Sequence, residues 1–312
     1  MLTPDELEGA GDDAAREAGK AEGDLLDFLV GLLLGGAALS ATAAMAAMAV
    51  GTRTTRMLDM VDARMPGIRE AVRRDAEELA RKSDERDRRA VGGPEAWRET
   101  AERATEEAMS DLDALRLDMV EGAKRAYLES VAKAAAQVQA GTLTEDQATR
   151  QAVLALEEQG VRTVDYAGTG DGAHKVSSSV DVAVRRAVRT HVSRAAGEAS
   201  LARCREYGTG LVEVSSHGGA RPSHAAWQGG CYSLDGEREV DGVVYRDFRT
   251  ATGYGTGAGL CGWNCRHSFG PYRHGAPRQY EPNPVSETGY TDAELYALSQ
   301  KQRACERAIR AA

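Results

Sequence analysis

Cysteine is rare in this chain of 312 residues, and so are the features of an exported protein. The five cysteines are an odd number with uneven spacing, which excludes a complete disulfide framework. The first 24 residues are acidic and polar, so we expect no cleavable signal peptide. We therefore expect first folding in a reducing cytoplasm, with free or metal-bound thiols.

An excess of basic charge is also lacking. The formal net charge is −9, so the chain as a whole does not attract DNA electrostatically. Aromatic residues make up only 5% of the chain, while alanine, glutamate and arginine dominate its first two thirds. This composition favours helices.

Helical patterns dominate residues 1–210, apart from a predicted short strand or extended link at 161–166 and a polar loop at 168–179. Thr3–Glu6 and Thr144–Gln147 each have the sequence of a capping box, in which a threonine and the residue three positions later bond reciprocally. Long helices are predicted over 54–91, 94–139 and 180–207, with breaks at Gly92-Gly93-Pro94 and at Gly208. In the last of these helices the predicted core positions are Val182, Val188, Val192, Ala195 and Ala199, and the predicted outer positions are Arg185, Arg186, Arg189 and Arg194.

The predicted fold class is α+β. A long, mainly helical N-terminal and middle region precedes a small turn-rich α+β C-terminal domain. We divide the chain into an N-terminal helical arm (1–93), a helical middle region (94–210) and a C-terminal domain with a tail helix (211–312).

An uncharged run extends from Phe28 to Gly51, and its length could span a bilayer. Its alanines and glycines allow close helix contact, so we favour a helix pair buried in an oligomer and broken at Gly35-Gly36. The alternative is a segment that meets a membrane transiently, as in a membrane-active ejection protein.

The stretch from Glu213 to Tyr272 has little Leu, Ile or Val, which excludes a large aliphatic core of its own. Its shape must depend on glycine turns, aromatic packing, polar networks or a metal. It holds three of the six histidines, three of the five cysteines and two of the three tryptophans. We expect Trp227 and Trp263 to supply apolar mass, and Arg221 and Arg266 to bond to loop carbonyl groups.

Three kinds of chemistry are compatible with this stretch. Zinc takes Cys and His ligands tetrahedrally, and the zinc candidates are His224, Cys261, Cys265 and His267. A Cys–His pair could instead form a thiol nucleophile with its base. The alternating glycines superficially suggest a nucleotide loop, but no helical pattern follows them. Buried side chains without any ligand in a polar turn are the reading we favour.

Two motifs in this stretch resemble a known family. HGGARPSHAAWQG (217–229), followed by ATGYGTGAGLCGWNCRHSFGPY (251–272), resembles the signature of tailed-phage minor capsid proteins, often called phage minor capsid protein 2 and related to Mu F-type minor head proteins. GVRTVDY (160–166) and VDVAVRRAVRTHV (180–192) also resemble the family pattern. The motif residues that we single out as structural are His217, Arg221, His224, Trp227, Gly229, Gly253, Gly255, Gly257, Trp263, Asn264 and Arg266.

The resemblance implies a structural virion component and not an enzyme. Such a protein would lie inside the capsid near the portal vertex, after assembly in the bacterial host cytoplasm. It would contact the portal protein and other head proteins, form a ring on the portal, touch packaged double-stranded DNA without sequence specificity, and assist head assembly, packaging or genome delivery. The resemblance implies no cofactor. A zinc- or thiol-dependent enzyme built on the His/Cys cluster stays as the alternative from the residues.

Overall fold

The computed structural model describes residues 1–35, 50–163, 178–282 and 289–311. Helices dominate the described residues, and the small sheets there are antiparallel, two of the three lying within residues 211–312, which confirms the α+β prediction. The helices are α1 Pro4–Gly9, α2 Asp12–Leu34, α3 Thr54–Val91, α4 Trp97–Gln139, α5 Glu145–Gln159, α6 Val180–Glu206, α7 Pro222–Ala225, α8 Phe248–Thr252 and α9 Asp292–Ala311. The strands are β1 Arg162–Thr163, β2 Ser178–Ser179, β3 Leu211–Val214, β4 Cys231–Ser233, β5 Arg238–Val240, β6 Val243–Tyr245 and β7 Phe269–Tyr272.

Both predicted capping boxes are present. The Thr3 hydroxyl accepts the Glu6 N–H at 3.3 Å, and the Glu6 carboxylate accepts the Thr3 N–H at 2.8 Å. Thr144 and Gln147 make the same reciprocal pair at the start of α5. These bonds satisfy N–H groups that the first helical turn leaves without a backbone acceptor.

The described chain forms two compact units. The helical unit consists of Asp12–Ala71 and Met109–Arg185 together with Ile309–Ala312, and the sheet unit consists of Met1–Gly11, Val72–Ala108 and Arg186–Ala308. The divisions at residues 93 and 210 stay predictions about domains.

The helical unit has a core of aliphatic side chains. Leu25, Leu29 and Leu33 recur every four residues on one face of α2 and are buried, and α2 packs against α5. The uncharged run begins on this helix, and its residues 36–49 lie outside the described residues. Among the helices of the described ranges, none is long and apolar enough to cross a bilayer.

The sheet unit is built on a three-stranded antiparallel sheet with the order β4-β3-β7. Leu211 pairs with Ser233 on one side and with Tyr272 on the other. The core against this sheet combines Val212, Val214, Trp227, Tyr232, Phe248, Leu260, Cys261, Cys265 and Phe269 with Leu201 and Cys204 of α6. Strand β3 therefore leads from this core directly into the first family motif.

The buried and exposed side chains of helix α6 follow the predicted pattern only in part. Val188, Val192 and Ala195 are buried as predicted, but Val182 and Ala199 are only partly buried. The four predicted outer arginines are also partly buried. Arg189, for example, donates to the carbonyl oxygens of Leu7 and Glu8 at 2.6 Å, a role that only tertiary contact can assign.

Candidate functional site

Three short segments of the sheet unit bring the motif residues together. The chain leaves β3, turns at His217–Gly219 and enters the single turn α7, which carries His224. The second segment is the glycine-rich loop after α8, and the third is Cys265–Ser268, which leads into β7. Hydrogen bonds from Ser215 N–H to the Ser268 carbonyl (2.9 Å) and from Ser268 N–H to the Ser215 hydroxyl (3.0 Å) hold the first and third segments side by side.

His224, Cys265 and His267 converge in the interior of this unit. Each is at most 2% exposed, and one ligand atom from each lies within 4.8 Å of the others. The Cys265 Sγ is 3.7 Å from the Nδ1 atom of His224 and 3.7 Å from the Nδ1 atom of His267. Three of the four zinc candidates from the sequence are therefore neighbours.

The outer ring nitrogens fix the tautomers of both histidines. His224 Nε2 lies 2.9 Å from the Ala258 carbonyl oxygen, which can only accept, so this nitrogen carries the proton. His267 Nε2 lies 3.0 Å from Gln228 Oε1. In a neutral imidazole the other nitrogen is then unprotonated, so both Nδ1 lone pairs face Cys265.

Gln228 is held in one orientation by its own contacts. Its Nε2 donates to Asp292 Oδ2 at 2.5 Å, and its Oε1 accepts the His217 N–H at 3.1 Å. Asp292, at the start of α9, also accepts the Gly219 N–H at 2.9 Å. The amide oxygen of Gln228 must therefore be the atom that accepts from His267.

Aromatic rings surround the cluster. The ring centroid of Trp227 is 4.5 Å from that of His224 and 4.9 Å from that of His267. The His217 ring also packs against His267, with a centroid distance of 4.4 Å. Such packing excludes water and restricts the rings to one orientation.

The environment keeps the cluster neutral. Burial lowers the pKa of His224 to about 4, and it lowers the pKa of His267 well below its usual value, with help from the neighbouring His217 and His224. Burial raises the pKa of the Cys265 thiol. The backbone N–H of His267, 3.4 Å from the sulfur, acts in the opposite direction and partly favours the thiolate. At neutral pH, without a bound cation, the site holds two neutral imidazoles and a protonated thiol.

Cys261 is buried in the same loop but is not part of the converging group. Its thiol contacts the His267 carbonyl oxygen at 3.8 Å, and burial strongly raises its pKa. Its φ of 58° places it in the left-handed region, as does the φ of 54° at Asn264. The backbone of this loop is therefore tightly coiled around the cluster.

The glycines of the loop allow this coiling. Gly253 ends α8 with a φ of 65°, and a Cβ at Gly259 would lie 2.0 Å from the Gly253 carbonyl oxygen. Gly255 and Gly257 lie in the same loop, whereas Gly229 lies in the turn between α7 and β4, where a Cβ would be 2.3 Å from the Glu281 carbonyl oxygen. The expectation of a close backbone approach is confirmed at Gly253 and Gly259.

Some of the remaining motif residues make contacts that hold the loops, and others lie at the protein surface. Arg221 donates to the Trp263 carbonyl oxygen at 2.8 Å, as expected, whereas Arg266 pairs with Glu8 at 2.7 Å and lies 3.4 Å from His217 Nδ1. Trp227 is buried in the core, but the prediction for Trp263 is wrong, because its side chain is 46% exposed.

Gln228, Asp292 and the Ala258 carbonyl group were missed by the sequence reasoning. Gln228 could have been found, because it follows His224 by four residues within the same motif, and its N–H donates to the His224 carbonyl at 3.0 Å. Asp292 lies 64 residues from Gln228, and no sequence signal connects the two.

The donor set determines the chemistry that this site can perform. Two imidazole nitrogens and one sulfur are ligands that zinc accepts. A thiol nucleophile requires a depressed thiol pKa and access to solvent, whereas Cys265 is buried and its pKa is raised. The geometry therefore favours a structural role for the cluster over a nucleophilic one.

Comparisons with known proteins agree with the motifs. Searches of curated proteins and of solved structures gave no significant match. The family model described as phage minor capsid protein 2 matches residues 36–312, which include the helices from α3 onward and the whole cluster. This family is a structural capsid family, which supports a structural role in the virion beside other head proteins. Because the match covers most of its length, the chain belongs to the phage minor capsid protein 2 family.

Proposed function

We propose that this chain is a minor head protein bound near the portal vertex, where it assists head assembly, DNA packaging or genome delivery. The observation that carries this proposal is the family match over residues 36–312. It includes both the long helices and the compact histidine- and cysteine-containing module, so the relationship is not limited to one short motif.

The chemistry of the module supports a scaffolding role. Cys261 and Cys265 are buried, and burial raises the pKa of both thiols. His224 and His267 are held by carbonyl and amide oxygens on the sides that face away from Cys265. Groups held in this way fix the shape of a docking module well, and they are poorly suited to turnover.

The proposed main partner is the portal protein encoded with this chain, and the proposed complex is a ring of copies on the portal. The test is co-expression of the tagged full-length chain with that portal protein, followed by purification and mass measurement. We expect co-purification at one fixed stoichiometry. The major capsid protein, co-expressed in the same way, is the control for non-specific capture. Absence of portal binding, together with absence of the chain from purified virions, would refute the proposal.

Packaged DNA is the second proposed partner. Exposed Arg205, Arg238 and Arg249 line one groove of the sheet unit, of about 390 Å³, which also contains Asp235. Three guanidinium groups on one groove can neutralise phosphates without reading bases, even in a chain whose net charge is −9.

The DNA proposal predicts a specific salt dependence. Replacing the three groove arginines with alanine should reduce the slope of log K against log salt by roughly 2–3 for duplex DNA of any sequence. The matched control replaces three exposed arginines of the same unit outside the groove, Arg81, Arg89 and Arg98. Equal slopes for the two triple variants would contradict a DNA-contacting groove.

Transient membrane contact through residues 28–51 is not part of this proposal. Leu29 and Leu33, at the start of the uncharged run, are buried against the helical unit's own core. A membrane-inserted segment would instead have to expose them to lipid. Liposome flotation of the full chain tests the point, and we expect the chain to stay with the soluble fraction.

A further inference from the structure

The buried cluster of His224, Cys265 and His267 has a mismatch between acceptors and donors. Both Nδ1 lone pairs face the same sulfur at 3.7 Å, and the His267 carbonyl oxygen lies 3.7 Å from it as well. The Cys261 thiol can donate to this carbonyl at 3.8 Å, but the single Cys265 proton cannot serve both Nδ1 atoms. A buried arrangement of this kind is costly unless something else satisfies the remaining lone pairs.

We propose that His224 Nδ1, Cys265 Sγ and His267 Nδ1 bind one zinc ion, which fixes the module structurally. The proposed ion connects α7 to the segment before β7, two parts of the chain that lie 41 residues apart. This inference does not depend on binding to the portal.

The two sulfur–nitrogen distances fit tetrahedral zinc. Zn–S and Zn–N bonds of about 2.3 Å and 2.0–2.1 Å place the sulfur and each nitrogen roughly 3.6 Å apart at a tetrahedral angle. The two sulfur–nitrogen distances are 3.7 Å, and all three ligand atoms lie within 4.8 Å of one another. Tetrahedral zinc also places its two nitrogens about 3.3 Å apart, and the imidazole rings move to that separation on binding.

The surroundings already contain the outer contacts of a metal site. Metal-binding histidines usually donate their other N–H to a carbonyl or carboxylate oxygen, which orients the ring. His224 donates to the Ala258 carbonyl, and His267 donates to Gln228, which Asp292 holds in turn. The backbone N–H of His267, 3.4 Å from the Cys265 sulfur, adds a contact that favours the thiolate.

The donor set selects the metal. Imidazole nitrogen and thiolate sulfur suit zinc, whereas magnesium and calcium prefer oxygen ligands. On binding, the Cys265 S–H bond breaks, its proton passes to solvent and the sulfur–zinc bond forms. The Cys261 sulfur is not among the converging atoms, so the proposed site has three protein ligands.

The first test is the metal content of the full-length protein, reconstituted with zinc and then dialysed against a weak chelator. We expect about one zinc per chain in the parent protein and in Cys261→Ser, and a loss of at least tenfold in Cys265→Ser. Cys261 is a matched control because it is an equally buried thiol of the same loop. A metal-free parent protein, or equal losses in the two variants, would overturn the proposal.

The second test does not require a ligand variant to fold. Cobalt added to the metal-free parent protein should give the intense visible bands of a tetrahedral site and a thiolate-to-cobalt charge-transfer band. Gln228→Leu should weaken cobalt and zinc binding about 10- to 100-fold, because it removes the oxygen that orients His267. Octahedral-type weak bands without charge transfer would overturn the proposal even if every variant folds.

Discussion

The helical unit buries aliphatic side chains that recur every four residues on α2. The sheet unit also depends on polar contacts between segments far apart in sequence. Leu25, Leu29 and Leu33 need only the helix period to share one face. The sheet unit instead joins Asp87 to Ser200, and Gln228 to Asp292. The comparison shows that a Leu-poor module can acquire a fixed shape from buried polar groups, and that removing one of these groups leaves its buried partner unsatisfied.

Asp87→Ala should have the largest effect, because it removes a buried polar contact on which the sheet unit depends. Asp87 is buried and accepts from the Met1 amino group at 2.6 Å and from the Ser200 hydroxyl. Removing the carboxylate leaves a buried cation, which costs about 3–5 kcal/mol of unfolding free energy. Urea denaturation measures the loss.

The control for this prediction is Glu85→Ala on the same helix, because Glu85 forms an exposed pair with Arg89. We expect a change within about 0.5 kcal/mol. Similar losses in Asp87→Ala and Glu85→Ala would contradict the special role of the buried carboxylate.

Leu29→Ala tests the apolar side of the comparison. The side chain is fully buried in the helical unit, so truncation should cost about 2–5 kcal/mol through lost burial and a cavity. Hydrogen exchange of the α2 amides reports this loss for the helical unit itself. Leu34→Ala is the control, because Leu34 is 66% exposed, and α2 amides that exchange equally fast in both variants would count against a leucine-based core.

Acid should weaken the sheet unit through Glu6. Burial alone would raise its pKa, but hydrogen bonds from Arg86 and from the Thr3 N–H outweigh burial and lower the pKa from 4.5 to about 2. The stabilisation is therefore complete above about pH 4.5 and is lost as the pH falls through about 2. Because Glu6 and Arg86 are both partly exposed, solvent screens the pair, and the contribution should be about 2 kcal/mol or less.

Glu6→Gln should remove most of this acid dependence, as followed by the unfolding free energy at a series of pH values. Arg86→Gln removes the partner and should flatten the same window. An unchanged pH profile in Glu6→Gln would place the acid sensitivity in other groups.

Two glycine substitutions should have the smallest effects. They sharpen the comparison between the units because one should destabilise the protein and the other should stabilise it. Gly259→Ala should destabilise by about 1–3 kcal/mol, because the new Cβ would lie 2.0 Å from the Gly253 carbonyl oxygen. Gly23→Ala, inside α2 with open space around it, should stabilise by about 0.5–1 kcal/mol. Thermal unfolding of both variants measures the difference, and shifts of the same sign would contradict it.

The helices could be predicted from the sequence because their signals are local. Thr3 and Thr144 bond within three residues, and α3 begins at Thr54 and ends at Val91 where charge pattern and glycines indicate. The start of α4 was less accurate, since Trp97 lies three residues beyond the predicted Pro94. Its boundary depends partly on the Ala96 N–H, which donates to Asp84 on another helix.

The candidate site could be located from the sequence but not resolved. Density of histidine, cysteine and glycine pointed to the correct stretch, and three of the four zinc candidates are neighbours. Spacing alone could not separate Cys261 from Cys265, because the two lie four residues apart in one irregular loop with left-handed backbone at Cys261. The exposure of Trp263 also depends on how that loop coils, so hydrophobicity gave the wrong expectation.

By itself the sequence determined the helices, their caps, the α+β class and the family, because each depends on short-range pattern or on motif order. Tertiary structure alone decided which cysteine faces the two histidines, which nitrogens carry protons and which residues hold them. The physical reason is that these properties arise from contacts across 41 and 64 residues, between His224 and Cys265 and between Gln228 and Asp292. Such contacts exist only once the β4-β3-β7 sheet has brought the segments together.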